Sequence, residues 1–329
     1  MYKLFALVLI AAAFSVSSAI AQEYRNFTGS NGRIIEAAFL GFDEATQIVK
    51  LRLRDGREQN VKLDLFSAES QQWIKTGGKD ADNPFGDDAP SGDVEKAGDR
   101  KVLTINRVQY PFRWCPSGTF KMGSPNPDRG DGREHPVTLT RGFWTLESTV
   151  TQEMWQNVMR NNPSENKGGK LPVTNVSWDD SQEYIRKLNA LGVAPAGYRF
   201  SLPTEAQWEY ACRAGTTTAY SFGDTLSKEQ ANFGNNVGKP TEAGKYPANA
   251  WGLYDMHGNV WEWCLCWNGD YPNGAVTDPT GASSGSRRII RGASWPLADY
   301  WLRSAWRNSD NPQNRSQHIG LRLVLVRVE

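Results

Sequence analysis

From Gly215 onward the chain runs for roughly 110 residues without one long helical period, a length of irregular sequence that a compact domain tolerates only where function, a metal or tight packing holds it. Gly, Asn, Pro and Trp fill this half, and its strand-like runs are short: Arg288-Ile-Ile-Arg291 and Leu321-Arg-Leu-Val-Leu-Val326. With 13 Trp, 31 Gly and 17 Pro in 329 residues, and every Trp except Trp73 beyond residue 100, the expected architecture is loop-rich, with aromatic anchors holding irregular backbone. Formal charge is +1, which leaves no basic excess for a phosphate backbone and argues against a nucleic-acid binder. A mean hydropathy of −0.57 gives a chain with enough apolar mass for a core and no segment after the N-terminus apolar enough to span a bilayer.

Met1-Tyr-Lys, the apolar run Leu4 to Phe14 and Ala19-Ile20-Ala21 have the pattern of a secretory signal peptide, with cleavage expected before Gln22. Residues 1–21 are therefore read as a signal and the protein as secreted or periplasmic. Disulfides are permitted in such a compartment, but the spacing of Cys115, Cys212, Cys264 and Cys266 assigns no pairing.

Residues 22–75 read as a small all-β module. Ile48-Val-Lys-Leu-Arg-Leu-Arg54 alternates strictly, setting Lys50, Arg52 and Arg54 on one face and Val49, Leu51 and Leu53 on the other. Asp55-Gly56 predicts a type I′ hairpin turn into Val61-Lys-Leu63, and Ser67 to Ile74 a short closing helix. Short meandering strands of this kind fit an SH3-like barrel. Residues 76–100 form an acidic linker, three basic residues against seven acidic, expected to be disordered. The aromatic of this segment lies in Asn83-Pro-Phe-Gly-Asp87.

The large region 101–329 carries three helix starts. Thr151 caps Gln152 to Arg160, Ser177 precedes Asp179 and Asp180, and Thr204 with Gln207 makes a capping box for Glu205 to Ala214. Here Cys212 reads as a small buried hydrophobe.

Two resemblances follow from quoted residues. Arg25-Asn-Phe27, Asn31-Gly32, Glu36-Ala37, Asp55-Gly56 and the closing Leu65 to Ile74 segment resemble the first Sla homology domain, which implies binding of Asn-Pro-Phe-x-Asp peptides. The basic face of Lys50, Arg52 and Arg54 would receive such a peptide, and Asn83, Pro84, Phe85 and Asp87 would supply one in cis or in trans, by self-association. The alternative is a plainly solvated basic strand face. Seven ordered motifs resemble the formylglycine-generating-enzyme (sulfatase-modifying factor) family: Pro116-Ser-Gly-Thr-Phe-Lys-Met-Gly-Ser124, Val150-Thr-Gln, Pro172-Val-Thr-Asn-Val-Ser-Trp178, Leu202-Pro-Thr-Glu-Ala-Gln-Trp-Glu-Tyr-Ala211, Gly252-Leu-Tyr-Asp-Met-His-Gly-Asn-Val-Trp-Glu-Trp263, Arg291-Gly-Ala-Ser-Trp295 and Ile319-Gly-Leu-Arg322. That resemblance implies an α+β, C-type-lectin-like fold.

It also implies where chemistry would sit. The family's oxidase holds Cu(I) between two thiolates shortly after the Gly-x-Ser-Trp segment, and thiolate is the natural soft ligand. In this chain the first position falls at or near Leu297 and the second within Asp299 to Leu302, with no Cys in the stretch. Copper is thus not expected. The same stretch carries Trp295, Leu297, Asp299, Tyr300 and Asn308, types that suit a ligand surface for an unidentified glycan or protein, with core packing as the alternative for the Trp residues. Calcium is the cofactor the resemblance does support, through the Asp255 and Glu262 side chains and the Gly258 and Val260 carbonyls, with Asn232 and the Phe233 carbonyl as half of a second site. The competing reading is that Glu262 pairs with a core Arg. Two functions result: an exported binding or scaffolding protein, or an oxidase of the formylglycine-generating type with altered chemistry.

Overall fold

Alternation and turn chemistry account for the first strands directly. The computed structural model describes residues 24–28, 30, 34–53, 55–75, 95–125 and 131–328, in two compact units divided between Ala81 and Asp82. Residues 1–21, expected to be a signal, Arg54 and the Asn83–Asp87 motif lie outside the described residues. In the first unit β1 (Tyr24–Thr28), β2 (Ile34–Asp43), β3 (Ile48–Leu53) and β4 (Glu58–Lys62) pair in sequence order as an antiparallel meander, followed by α1 (Ala68–Lys75). Among the described residues no pairing of β4 with β1 closes a barrel. Phe27, Val49, Leu51, Leu63, Phe66 and Ile74 form its core, as the alternation requires.

Two details differ from expectation. The β3–β4 turn has three loop residues: Gly56 N donates to the Leu53 carbonyl at 2.9 Å and Leu53 N to the Arg57 carbonyl at 2.8 Å. Gly56 closes it at φ +83°, so the glycine forms a bulge rather than the second position of a type I′ turn. On the basic face Lys50 is exposed, but Arg52 lies across the ladder from Glu58 and is bonded to its carboxylate, which neutralises part of the charge.

The second unit is mixed α/β with mostly sheets. A five-stranded antiparallel sheet runs β10-β16-β9-β6-β5, built from β5 (Arg100–Ile105), β6 (Val108–Cys115), β9 (Phe143–Leu146), β10 (Tyr198–Ser201) and β16 (Val324–Arg327). A four-stranded sheet orders β14 (Arg307–Asp310), β13 (Arg288–Arg291), β11 (Trp261–Trp267) and β15 (Ile319–Leu321), the last pair parallel. A small sheet joins β12 (Val276–Thr277), β8 (His135–Leu139) and β7 (Gly118–Met122). Glu95 to Asp99 belong to this unit rather than to a disordered linker, because Gly98 N donates to the Trp114 carbonyl and Trp114 N to that of Asp99, both at 2.9 Å.

Three helices start where the caps place them. Thr151 caps α2 (Gln152–Met159), while Ser177 and Thr204 complete capping boxes on α3 (Trp178–Ala190) and α4 (Glu205–Arg213). The left-handed residue ending α4 is Ala214, at φ 47°, one position before the glycine. Among the described residues no α-helix follows α4, and no helix is long and apolar enough to cross a membrane.

Tryptophan anchors the second unit. Trp114, Trp144, Trp155, Trp208 and Trp263 are fully buried, each worth a few kcal/mol in apolar area removed from water. Their N–H groups fasten distant segments: Trp263 Nε1 donates to the Val176 carbonyl at 3.0 Å and the half-buried Trp178 Nε1 to that of Cys264 at 2.9 Å. The run Leu321 to Val326 is two strands in two sheets, not one. It breaks at Arg322, whose fully buried side chain is drawn inward by Glu262 and the Leu146 and Tyr254 carbonyls.

Candidate ligand-binding site

On α4, Glu205, Glu209 and Arg213 recur every fourth residue and so share one face, which here is buried. Arg213 donates to Glu209 at 2.9 Å; Glu209 also binds Gly123 N and Arg291 of β13. Glu205 accepts both prongs of Arg307 of β14, at 2.9 and 2.8 Å, and the Tyr271 hydroxyl at 3.1 Å. Burial works against the Arg291 charge, but Tyr271, Glu209 and Glu205 outweigh it and hold the guanidinium above its ordinary range. Breaking one partner of such a buried set costs several kcal/mol, because an uncompensated charge stays behind. The carboxylates of the Leu202–Ala211 motif are therefore framework.

That framework fixes the stretch after Gly292. Trp295 N donates to the Asn259 carbonyl at 3.0 Å, Asn235 N to that of Trp295 at 3.0 Å and Gly234 N to that of Leu297 at 2.8 Å. A 3-10 turn, Asp299–Leu302, then drives Leu302 into the core at 0% exposure and leaves Asp299 and Tyr300 outside, Tyr300 at 45%. Arg303 grips Asp131 at 2.8 and 3.2 Å, and Tyr300, Trp301 and Trp306 pack ring against ring. Asn308 projects from β14, exposed. Of the five surface candidates, Asp299, Tyr300 and Asn308 are free for contact. Trp295 and Leu297 are half-buried, Trp295 against His318 at 5.3 Å.

The calcium candidates divide by their partners. Glu262, at 0% exposure, spends both oxygens on Arg322, at 2.8 to 3.1 Å, and on Trp208 Nε1 at 2.7 Å. A cation bridging Asp255 and Glu262 would have to displace that guanidinium, so this set does not fit an open calcium cradle. Asp255 accepts Gly244 N at 2.7 Å, and burial lifts its carboxyl to about 6. Gly258, whose carbonyl was expected in the first set, has φ +99°, and a Cβ there would meet the Asn232 carbonyl at 2.5 Å; Val260 beyond it is fully buried. Asn232 is different: its amide nitrogen bonds Lys239 and Asn259, while its buried Oδ1 has no partner among the described residues. That atom could accept a cation. Phe233 O already takes Asn236 N at 3.1 Å. Among the described residues no group of three or more His, Cys, Asp or Glu side chains is arranged to hold a metal.

All four cysteines are free and buried. Burial pushes the Cys115, Cys212 and Cys266 thiols up to about 12. His257 lies 3.7 Å from Cys212 Sγ, but its Nδ1–H is given to the Leu302 carbonyl at 2.7 Å and its Nε2 accepts from Ser221. Burial lowers it to about 4, so both members are neutral and form no thiolate–imidazolium pair.

The sulfatase-modifying factor enzyme 1-like domain matches residues 112–327. The chain belongs to that family. Serine/threonine-protein kinase pkn1 of Chlamydia caviae is 34% identical over 206 residues, 57% of this chain and 31% of that protein. The formylglycine-generating enzyme of Streptomyces coelicolor is 34% identical over 173 residues, 46% of this chain and 51% of that protein. The chain therefore matches only part of the length of these relatives. Among solved structures, Treponema denticola variable protein 1 shares the fold of the sulfatase-modifying factor domain with a TM-score of 0.64 at 30% identity, covering 68% of this chain and 98% of that one.

Proposed function

We propose that this is an exported binding or scaffolding protein whose sulfatase-modifying-factor fold presents a ligand surface in place of a copper oxidase centre. One observation carries the reading. The resemblance puts one soft thiolate at or near Leu297 and the other within Asp299 to Leu302, and neither place holds a cysteine: Leu297 packs against the main core, in which Leu302 is fully buried. No cysteine follows Cys266, so a two-thiolate copper site has no donors in that stretch. What the stretch offers is Asp299, Tyr300 and Asn308, exposed on a backbone fixed by buried Arg–carboxylate pairs, a rigid frame with an adaptable polar and aromatic face for a glycan or protein ligand.

The N-terminal unit completes the proposal. It is read as an SH3-like Sla homology module that takes Asn-Pro-Phe-x-Asp peptides beside Lys50, with Asn83–Asp87 as a ligand in cis or in trans. The signal-like segment supports a protein outside the cytoplasm, secreted or periplasmic. Calcium, in this reading, is structural and rests on Asn232.

A formylglycine-type oxidase is the second reading, supported by the 34% identity to the Streptomyces coelicolor enzyme. Copper-loaded protein incubated with a Cys-x-Pro-x-Arg peptide and read by mass spectrometry separates the two. The binding reading expects unchanged thiol; aldehyde formation overturns it.

A further inference from the structure

A cavity of about 320 Å3 lies between the first turn of α4, the end of β11, β8 and the loop through Tyr271, with Arg307 of β14 on its lining. Its inner wall is deep: Met122, His135, Glu205, Ala206 and Cys266 are each at most 5% exposed. Rings make the rest. Tyr271 stands 4.8 Å from the His135 ring, and Trp267, Pro272 and Pro279 line the other sides.

The charges on this lining are already answered. Glu205 is bound by Arg307 and Tyr271, and Arg307 also donates to the Gly269 carbonyl at 2.8 Å while lying 4.2 Å over the Tyr271 ring. Cys266 Sγ accepts the Glu205 N–H at 3.2 Å. Asp270 is exposed to water. One acceptor on this lining has no protein partner among the described residues. His135 Nδ1 faces the Arg133 carbonyl at 3.0 Å, and a carbonyl only accepts, so Nδ1 carries the proton and Nε2 a bare lone pair. Among the described residues nothing donates to that Nε2. A pocket at the small end of the ligand-site range, walled by rings, with its buried charges paired and one acceptor open to a ligand, selects a flat neutral molecule with one donor.

We propose that this cavity binds a small neutral aromatic molecule bearing a single O–H or N–H, of the phenol or indole class, with the donor on His135 Nε2. The inference does not depend on the proposed function. The test titrates the full chain with p-cresol, indole and toluene by calorimetry. Saturable binding is expected, with toluene about fivefold weaker for want of one neutral hydrogen bond. His135→Phe should erase that preference while keeping toluene affinity, and Val276→Trp, which puts a large ring on the lining, should abolish binding of all three. Cys266 is the one cysteine on the lining, so saturating p-cresol should slow its reaction with a methylmercury reagent and leave Cys115, Cys212 and Cys264 unaffected. Equal affinity for toluene and p-cresol in the unaltered protein overturns the proposal, as does binding that survives Val276→Trp. Both outcomes are readable even where His135→Phe does not fold.

Discussion

Replacing Arg322 by Met tests how this domain holds its central acidic residue. Arg322 is fully buried and donates to Glu262, to the Leu146 carbonyl at 2.8 Å and to the Tyr254 carbonyl at 2.7 Å. Methionine keeps much of the volume and removes every donor. Stranding a buried carboxylate costs about 3–5 kcal/mol, and each orphaned carbonyl adds roughly 1–3 kcal/mol. A loss of at least about 5 kcal/mol follows, against a total stability on the order of 5–15 kcal/mol. Near 2–4 °C per kcal/mol for a domain of this size, the Tm should fall by about 10–20 °C or the fold should fail. Urea unfolding followed by Trp fluorescence measures it, since Trp208 contacts Glu262 directly. Glu262→Gln should be costly alone, yet the double variant should be less damaged than the two losses added, giving a coupling of about 2 kcal/mol or more. A loss under about 1 kcal/mol for Arg322→Met would refute the pair as the determinant of this core. Full rescue of Arg322→Met by millimolar calcium would instead show that a cation can stand where the guanidinium does.

Other outcomes follow from the same geometry. Asp255 titrates near 6 in the fold against an ordinary 3.8, so the native state binds the extra proton; stability should fall as pH rises from about 4 to 6 and stay level above, by up to roughly 3 kcal/mol, and Asp255→Asn should flatten that slope in pH-dependent denaturation. Calcium bound at Asn232 would raise the Tm in millimolar CaCl2 and EDTA would reverse it, whereas Asn232→Leu should be insensitive to both; an unchanged Tm on EDTA titration argues against the site. Thr204→Ala removes one half of a capping box and should cost about 1 kcal/mol by urea denaturation. An Asn-Pro-Phe-Gly-Asp-Asp peptide added to a full chain carrying Phe85→Ala should shift the amide resonances of the β3 residues around Lys50; unmoved resonances sink the peptide-binding module.

The features legible before folding are those that neighbours in the chain decide. Thr151, Ser177 and Thr204 start their helices because a cap is a bond across three residues, and strict alternation set Val49 and Leu51 inside and Lys50 out. The ordered motifs pointed to the family, and the lack of a cysteine between Leu297 and Leu302 could be read directly. Pairing across the chain was not visible. Glu205, Glu209 and Arg213 could have been read as one charged helix face from their fourfold spacing, but not that the face would be buried against Arg291 and Arg307. The same limit explains the single strand expected over Leu321 to Val326, which hydrophobicity favours and the inward pull on Arg322 breaks. For Glu262 the sequence offered two satisfiers, a calcium ion or an arginine, both able to balance a carboxylate. Only the fold, which brings Arg322 against it from 60 residues away, selects the arginine, because a buried charge takes whichever partner the packing places within hydrogen-bond reach.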